Sequence, residues 1–161
     1  MLLIVDANVL IDYTNSDISI LALVSKYVGQ IYVPSVILGE VDNLSEEDCV
    51  NLGLTVLDES IEVLLAAGEA RGALSFEDHV CLLLATEYDC TCVSNDKPLH
   101  QACIEESVSV MWGLRLMLEL VDVGHLDKDS ALEVAIMIQV SNPRHITQEI
   151  IDEYSRRLNL I

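Results

Sequence analysis

The sequence predicts an α/β protein: a three-layer sandwich with a mainly parallel five-stranded sheet, followed by a helical C-terminal extension. Three observations predict it. Five short, β-branched apolar runs recur along the chain, segments of helical period separate them, and the strand-like runs stop after Gly124. Strands joined through helices run parallel, because the right-handed crossover returns the chain to the same edge of the sheet. With 161 residues, 52% of them apolar, the chain fills one core. The expected division is an α/β domain over residues 1–124 and a helical extension over 125–161, packed on that domain or on a partner.

The elements follow in order. Leu2–Val5 reads as a buried strand, with Asp6 next and a helix opening at Ala7. A helix over Ile18–Tyr27 leads to a strand over Ile31–Val33, then a helix over Ser35–Leu44 that carries Glu40 about a turn and a half from its start. The strand Leu54–Leu57 precedes a helix over Ile61–Arg71, capped by Ser60 and Gly72, with Ile61, Leu64 and Leu65 on its apolar face. Phe76–Tyr88 is helical behind the capping-box pattern Ser75-Phe76-Glu77-Asp78. Thr91–Ser94 and Val108–Val110 are strands around a helix over Pro98–Glu105, and Trp112–Val121 is helical, with Trp112 assigned to the core. In the extension, Asp127 or Asp129 starts a helix to about Val140, broken by Ser141-Asn142-Pro143. Thr147 caps the last helix, with Ile146 and Ile151 as a hydrophobic staple and Ile150, Tyr154 and Leu158 on one stripe.

Charge narrows the function. Twenty-seven acids against eight Lys and Arg give a net charge of −19. Such a surface repels phosphate backbones and anionic lipid, which excludes a nucleic-acid coat or a membrane-surface protein but leaves room for one local site. No apolar run is long enough to span a bilayer, and the opening Leu2-Leu3-Ile4-Val5 lacks the basic region of a signal peptide. The cysteines (49, 81, 90, 92 and 103) are odd in number and lie mostly among apolar neighbours, as buried thiols in a reducing cytoplasm do. Neither Cys90-x-Cys92 nor the four histidines form a zinc pattern.

Ligands of open parallel sheets sit beyond the carboxyl ends of the strands. Asp6, Glu40, Asp78 and Asp96 are all expected near that edge. Each has an ordinary explanation as well: Asp6 and Asp96 as helix caps, Glu40 as a solvated helix position, Asp78 as half of the capping box. Together they suit phosphodiester hydrolysis. Divalent cations bound by carboxylates neutralise the phosphate and lower the pKa of water, and hard Mg²⁺ or Mn²⁺ prefers oxygen donors. Crowded carboxylates ionise cheaply only beside such a cation.

The opening Leu2-Leu3-Ile4-Val5-Asp6-Ala7-Asn8-Val9-Leu10-Ile11 resembles the start of a PIN domain, the fold of VapC-like toxin ribonucleases. Val33 to Val41 around Glu40, Leu74-Ser75-Phe76-Glu77-Asp78 and Val93-Ser94-Asn95-Asp96 resemble that family's other acidic motifs, in the same order over about the first 120 residues. The resemblance implies a PIN-like nuclease domain over 1–124 and a metal-dependent endoribonuclease. Asp6, Glu40, Asp78 and Asp96 would be its catalytic and metal-binding residues. Asn8 and Ser94 are supporting groups that orient the carboxylates, and Lys97 is the candidate for a substrate phosphate. Mg²⁺ or Mn²⁺ is the expected cofactor. The expected partners are RNA, an antitoxin or other basic protein, and further copies of the chain. The alternative is a catalytically weak PIN-like interaction module whose acidic surface binds a basic partner. The quartet holds only 4 of 27 acids, so RNA capture is expected to be weak and salt-sensitive, leaning on metal, Lys97 or a basic partner.

Overall fold

The computed structural model describes residues 1–161, with a five-stranded, wholly parallel sheet in the order β3-β2-β1-β4-β5. The strands are β1 (Leu2–Val5), β2 (Gln30–Pro34), β3 (Thr55–Leu57), β4 (Thr91–Val93) and β5 (Val110–Met111). The helices are α1 (Ala7–Asn15), α2 (Ser19–Tyr27), α3 (Ser35–Leu38), α4 (Glu46–Leu52), α5 (Ile61–Glu69), α6 (Phe76–Tyr88), α7 (Lys97–Glu105), α8 (Arg115–Asp122), α9 (Lys128–Ser141) and α10 (Gln148–Asn159). Helices α5, α6 and α7 pack together on one face. The other carries α2 with α4 and α8, and α1 with α9. This is the α/β sandwich that the alternating pattern predicts. β1 pairs with β2 on one side and β4 on the other, so its register (Ile4 opposite Tyr32 and Cys92) fixes the centre of the sheet. The residues Leu3, Ile4 and Val5 are wholly buried there.

Several local expectations shift. The helix expected over Ser35–Leu44 ends at Leu38, because Gly39 and Glu40 turn away and Ser45 starts α4 with its own capping box to Asp48. That box is the same signal as Ser75–Asp78 and was legible in the sequence. The buried face of α5 is Val63 and Ala67, whereas Ile61 and Leu65 are 71% and 60% exposed. Its C-cap is Ala70 rather than Gly72. In α10 the buried stripe is Ile151, Tyr154 and Leu158, one position on from Ile150. Trp112 is not core: it stands 45% exposed before α8 and stacks on His100, ring centroids 3.7 Å apart.

The two C-terminal helices belong to the same core as the sheet. Ala131, Val134, Ala135 and Ile138 of α9, with Ile151, Tyr154 and Leu158 of α10, join one continuous cluster of buried apolar side chains. Thr147 caps α10, and Ile146 and Ile151 are both buried as the staple requires. All five cysteines are buried free thiols. No helix is long and apolar enough to cross a membrane.

Candidate active site

The strand order reverses direction at β1 and β4: the chain leaves β1 toward β2 and leaves β4 toward β5. The crevice beyond the carboxyl ends of those two strands is where parallel sheets place ligands. Asp6 ends β1 there and its N–H donates to the Val93 carbonyl of β4, 2.9 Å away. Its carboxylate accepts from the Ala7 N–H at 2.7 Å, as an N-cap of α1, and from the Ser94 hydroxyl at 2.9 Å. Ser94, wholly buried, accepts in turn from the Asp96 N–H at 3.0 Å. One hydroxyl thus ties the acid after β1 to the loop bearing the acid after β4. Asp96 itself caps α7 through the Leu99 N–H at 3.3 Å. His100 holds the same loop from beneath, its Nε2 donating to the Ser94 carbonyl at 2.6 Å.

Asp78 does both jobs that the sequence left open. It closes the capping box of α6 (Asp78 N–H to Ser75 Oγ 3.1 Å, Ser75 N–H to Asp78 Oδ2 3.3 Å), and it sits close enough to Asp6 and Asp96 to feel both charges. Burial first, then Asp6 and Asp96, push its carboxyl up to about 6 against the lowering hydrogen bonds of Ser75. Asp6 is raised by burial, partly offset by Ser94 and Ala7, with Asp96 and Glu77 adding repulsion. Glu40 lies on the exposed turn after α3 rather than inside a helix. Desolvation, then the neighbouring Glu77 carboxyl, then the charges of Asp6 and Asp78 push it up to about 7.

The four predicted acids therefore share one electrostatic neighbourhood, and Glu77 joins them. Glu77 is masked in the sequence because Asp78 beside it already accounts for the capping box. Its position in the first turn of α6 was the available signal. A second omission is Glu59, whose carboxylate accepts from Ser35 Oγ at 2.5 Å and from the Val36 N–H at 2.9 Å. Pro34 offers α3 no side-chain cap, so Glu59 supplies it from the β3–α5 loop and holds the short helix that ends at Glu40.

The supporting residues divide. Ser94 orients two of the acids, as described. Asn8 is exposed on α1 and hydrogen-bonds to none of them, so its expected role as an orienting group is not what the structure shows. Lys97 is the exposed first residue of α7 and enters no ion pair. Arg115 is committed to Glu119 at 3.0 Å, and Arg156 and Arg157 to Glu153 at 2.7 and 2.9 Å.

As a donor set, the cluster fits a hard divalent cation: all oxygen, mutually repelling, with no basic group among the causes of the shifts at Asp6, Glu40 and Asp78. The arrangement is open, however. No three carboxylate, imidazole or thiol side chains converge closely enough to hold one ion between them. Asp78 and Asp96 are each turned toward the helix start that they cap.

Beside Asp96 the surface opens into a polar cleft of about 290 Å³ between α1, the β4–α7 loop and the α9–α10 turn. At its base lies Asp12, 5% exposed, accepting from Asn95 Nδ2 at 3.2 Å and Asn142 Nδ2 at 3.1 Å. Burial pushes Asp12 up to about 6, against the lowering effects of Asn142, His145 and Asn95. Asn95 Oδ1 accepts from the Gly113 N–H at 3.0 Å, and the Gly113 carbonyl accepts from the Tyr13 hydroxyl at 2.7 Å. A Cβ at Gly113 would lie 3.1 Å from Val9 and 3.2 Å from Asn95, so glycine is what lets the strand end approach α1.

No family model matches the sequence, and no curated protein matches it. Among solved structures, a PilT N-terminus domain protein from the hyperthermophilic archaeon Sulfolobus solfataricus P2 is similar. The TM-score is 0.55 at 12% sequence identity, with 78% of this chain and 98% of that chain covered. The fold is PIN-like. At that identity the likeness speaks for the fold alone, and about a fifth of this chain lies outside it.

Proposed function

We propose that this PIN-like protein is a metal-dependent endoribonuclease that hydrolyses phosphodiester bonds of single-stranded or loop RNA. Following the resemblance of its motifs, we place it as the toxin of a toxin–antitoxin pair in the cytoplasm. One observation carries the enzymatic reading. At the switch point of the sheet, Ser94 ties the Asp6 carboxylate to the Asp96 backbone, Asp78 lies near enough to feel Asp6 and Asp96, and Glu40 near enough to feel Glu77, Asp6 and Asp78, with no cation offsetting the repulsion. Left empty of a cation, that arrangement costs stability, and binding one relieves the cost.

Asp6, Asp78 and Asp96, with Glu40 at the outer edge, would hold Mg²⁺ or Mn²⁺, which would neutralise the phosphate and activate water. The chain's own contribution is positioning and proton transfer. Ser94 fixes the Asp6 carboxylate and the Asp96 backbone in one register. One of these four carboxylates would also take the proton from the attacking water. Lys97, unpaired beside Asp96, is placed to meet a phosphate oxygen.

The contrary reading, an interaction module that binds a basic protein, is favoured by the lack of any three-ligand convergence. Mn²⁺ titration and cleavage of a fluorogenic RNA, with wild type and the double variant Asp6→Asn/Asp96→Asn, separate the two. The enzyme binds Mn²⁺ more tightly than the variant and cuts. Equal Mn²⁺ binding, or no cleavage by wild type, defeats the enzymatic reading.

A further inference from the structure

The turn between α9 and α10 supplies one wall of the cleft beside Asp96, through Asn142 and His145, and α1 supplies the other through Asn8 and Asn15. Its chemistry restricts what it takes. Ile11 is the one apolar residue of the lining, so an apolar ligand gains little there. Asp12 and Asp96 make it unfavourable for an anion, and the lining contains neither Lys nor Arg. Both oxygens of Asp12 are already engaged by the Asn95 and Asn142 amides, which leaves it poorly placed to bind a cation. What remains is a neutral ligand rich in hydrogen-bonding groups.

The Asn8 and Asn15 amides form no hydrogen bond within the protein, and each offers two donors and an acceptor toward the cleft. Amides of this kind pair with base edges in two-point fashion, and the 2′-hydroxyl adds a further donor and acceptor. The volume, about 290 Å³, is at the small end for ligand sites and suits a single nucleoside. Asp12, bridging Asn95 and Asn142, holds the two walls at a fixed separation.

We propose that this cleft is a ribonucleoside subsite, seating the nucleoside next to the phosphodiester that meets the acid cluster. It shares Asp96 with that cluster, so a strand with its phosphate there has its neighbouring nucleoside at the cleft mouth. The inference rests on the ribonuclease reading for its substrate, but the cleft is testable without catalysis. The C-terminal segment is then part of the substrate site rather than an arm for a partner.

The test uses the full chain in two measurements. In the first, adenosine, guanosine, cytidine and uridine are titrated while the side-chain amide signals of Asn8, Asn15 and Asn142 are followed by NMR. At least one nucleoside shifts these signals in wild type, and the shift is lost in Asn15→Leu and His145→Leu. In the second, the same variants are given RNA of mixed sequence and Mn²⁺. Their kcat/KM falls about tenfold or more with an altered distribution of cut sites, while Mn²⁺ affinity stays at the wild-type value. Amide signals unmoved by all four nucleosides overturn the subsite, as do variants that cut the same sites at the wild-type rate. Absence of cleavage by wild type counts against the nuclease reading instead, and the nucleoside titration then still decides the cleft.

Discussion

Two carboxylate sites lie either side of Asp96, and they handle burial in opposite ways. At the base of the cleft, Asp12 is almost wholly enclosed, yet each of its oxygens meets an asparagine amide. Across the sheet edge, Asp6, Glu40, Glu77 and Asp78 face one another, and the hydrogen bonds they receive come from helix starts and Ser94, with no cation among them. Both sites raise proton affinity. Only the second does so partly by mutual repulsion, which neutral donors cannot remove and a divalent ion can. A buried acid whose oxygens are met by neutral donors gains little from a cation, whereas one crowded by like-charged neighbours has a reason to bind one.

The largest expected effect tests that distinction directly. The Asp6→Asn/Asp96→Asn variant should lose RNA cleavage by roughly a hundredfold or more. Mn²⁺ should raise the melting temperature of wild type and not of this variant, since binding to the folded state stabilises by mass action. An Asp12→Asn variant should keep its Mn²⁺ affinity, and if it weakens Mn²⁺ as much as the double variant, the two sites are not separate. Next comes Ser94→Ala, which removes the hydroxyl shared by Asp6 and the Asp96 backbone. Isothermal titration should show Mn²⁺ affinity falling by about 10–100-fold, as for other groups that orient metal ligands.

The cleft side is sharpened by stability. Asp12→Ala leaves the Asn95 and Asn142 amides without their acceptor and should cost about 2–3 kcal/mol in urea unfolding. The pH dependence carries a definite sign. Asp12 sits at about 6 in the folded protein against an ordinary 3.8. Between those values the folded state binds more protons than the unfolded one. Stability from this group is therefore full below about pH 4 and declines as pH rises through about 6, by at most about 3 kcal/mol. Asp12→Asn should flatten the urea-midpoint profile over that window, leaving the contribution that Asp78, with the same sign, makes on the other side.

The smallest effect concerns the residue that belongs to both worlds. Ser75→Ala removes the α6 cap and should cost about 1 kcal/mol with Mn²⁺ affinity retained. If Ser75→Ala abolishes metal binding instead, the capping box is what aims Asp78, and the two roles are not independent.

Much of this was legible in the order of residues. The strand-like runs and the acids after β1 and β4 follow from local patterning, since a strand end and a helix cap are set by neighbours a few residues apart. Asp6, Asp78 and Asp96 could be named for the same reason: each begins a helix at the edge where crossovers start. Asn95, Asp12 and Asn142 could not be joined that way. They are 83 and 130 positions apart across the two hydrogen bonds that link them, and nothing local records the pairing. The apolar faces of α5 and α10 differ from the local pattern by a residue or two for a related reason: α5 carries apolar residues around much of its circumference, α10 has Ile150 and Ile151 side by side, and only packing selects which are covered.

The sequence by itself determined the parallel α/β architecture, the acidic edge and the caps, because periodicity and helix-start chemistry act over short spans. Tertiary structure alone decided that Glu77 neighbours Glu40, that one serine serves two acids, and that the last two helices join the same core while the turn between them walls a cleft beside Asp96. Those outcomes depend on which distant surfaces exclude water from each other, and chain order does not encode that locally.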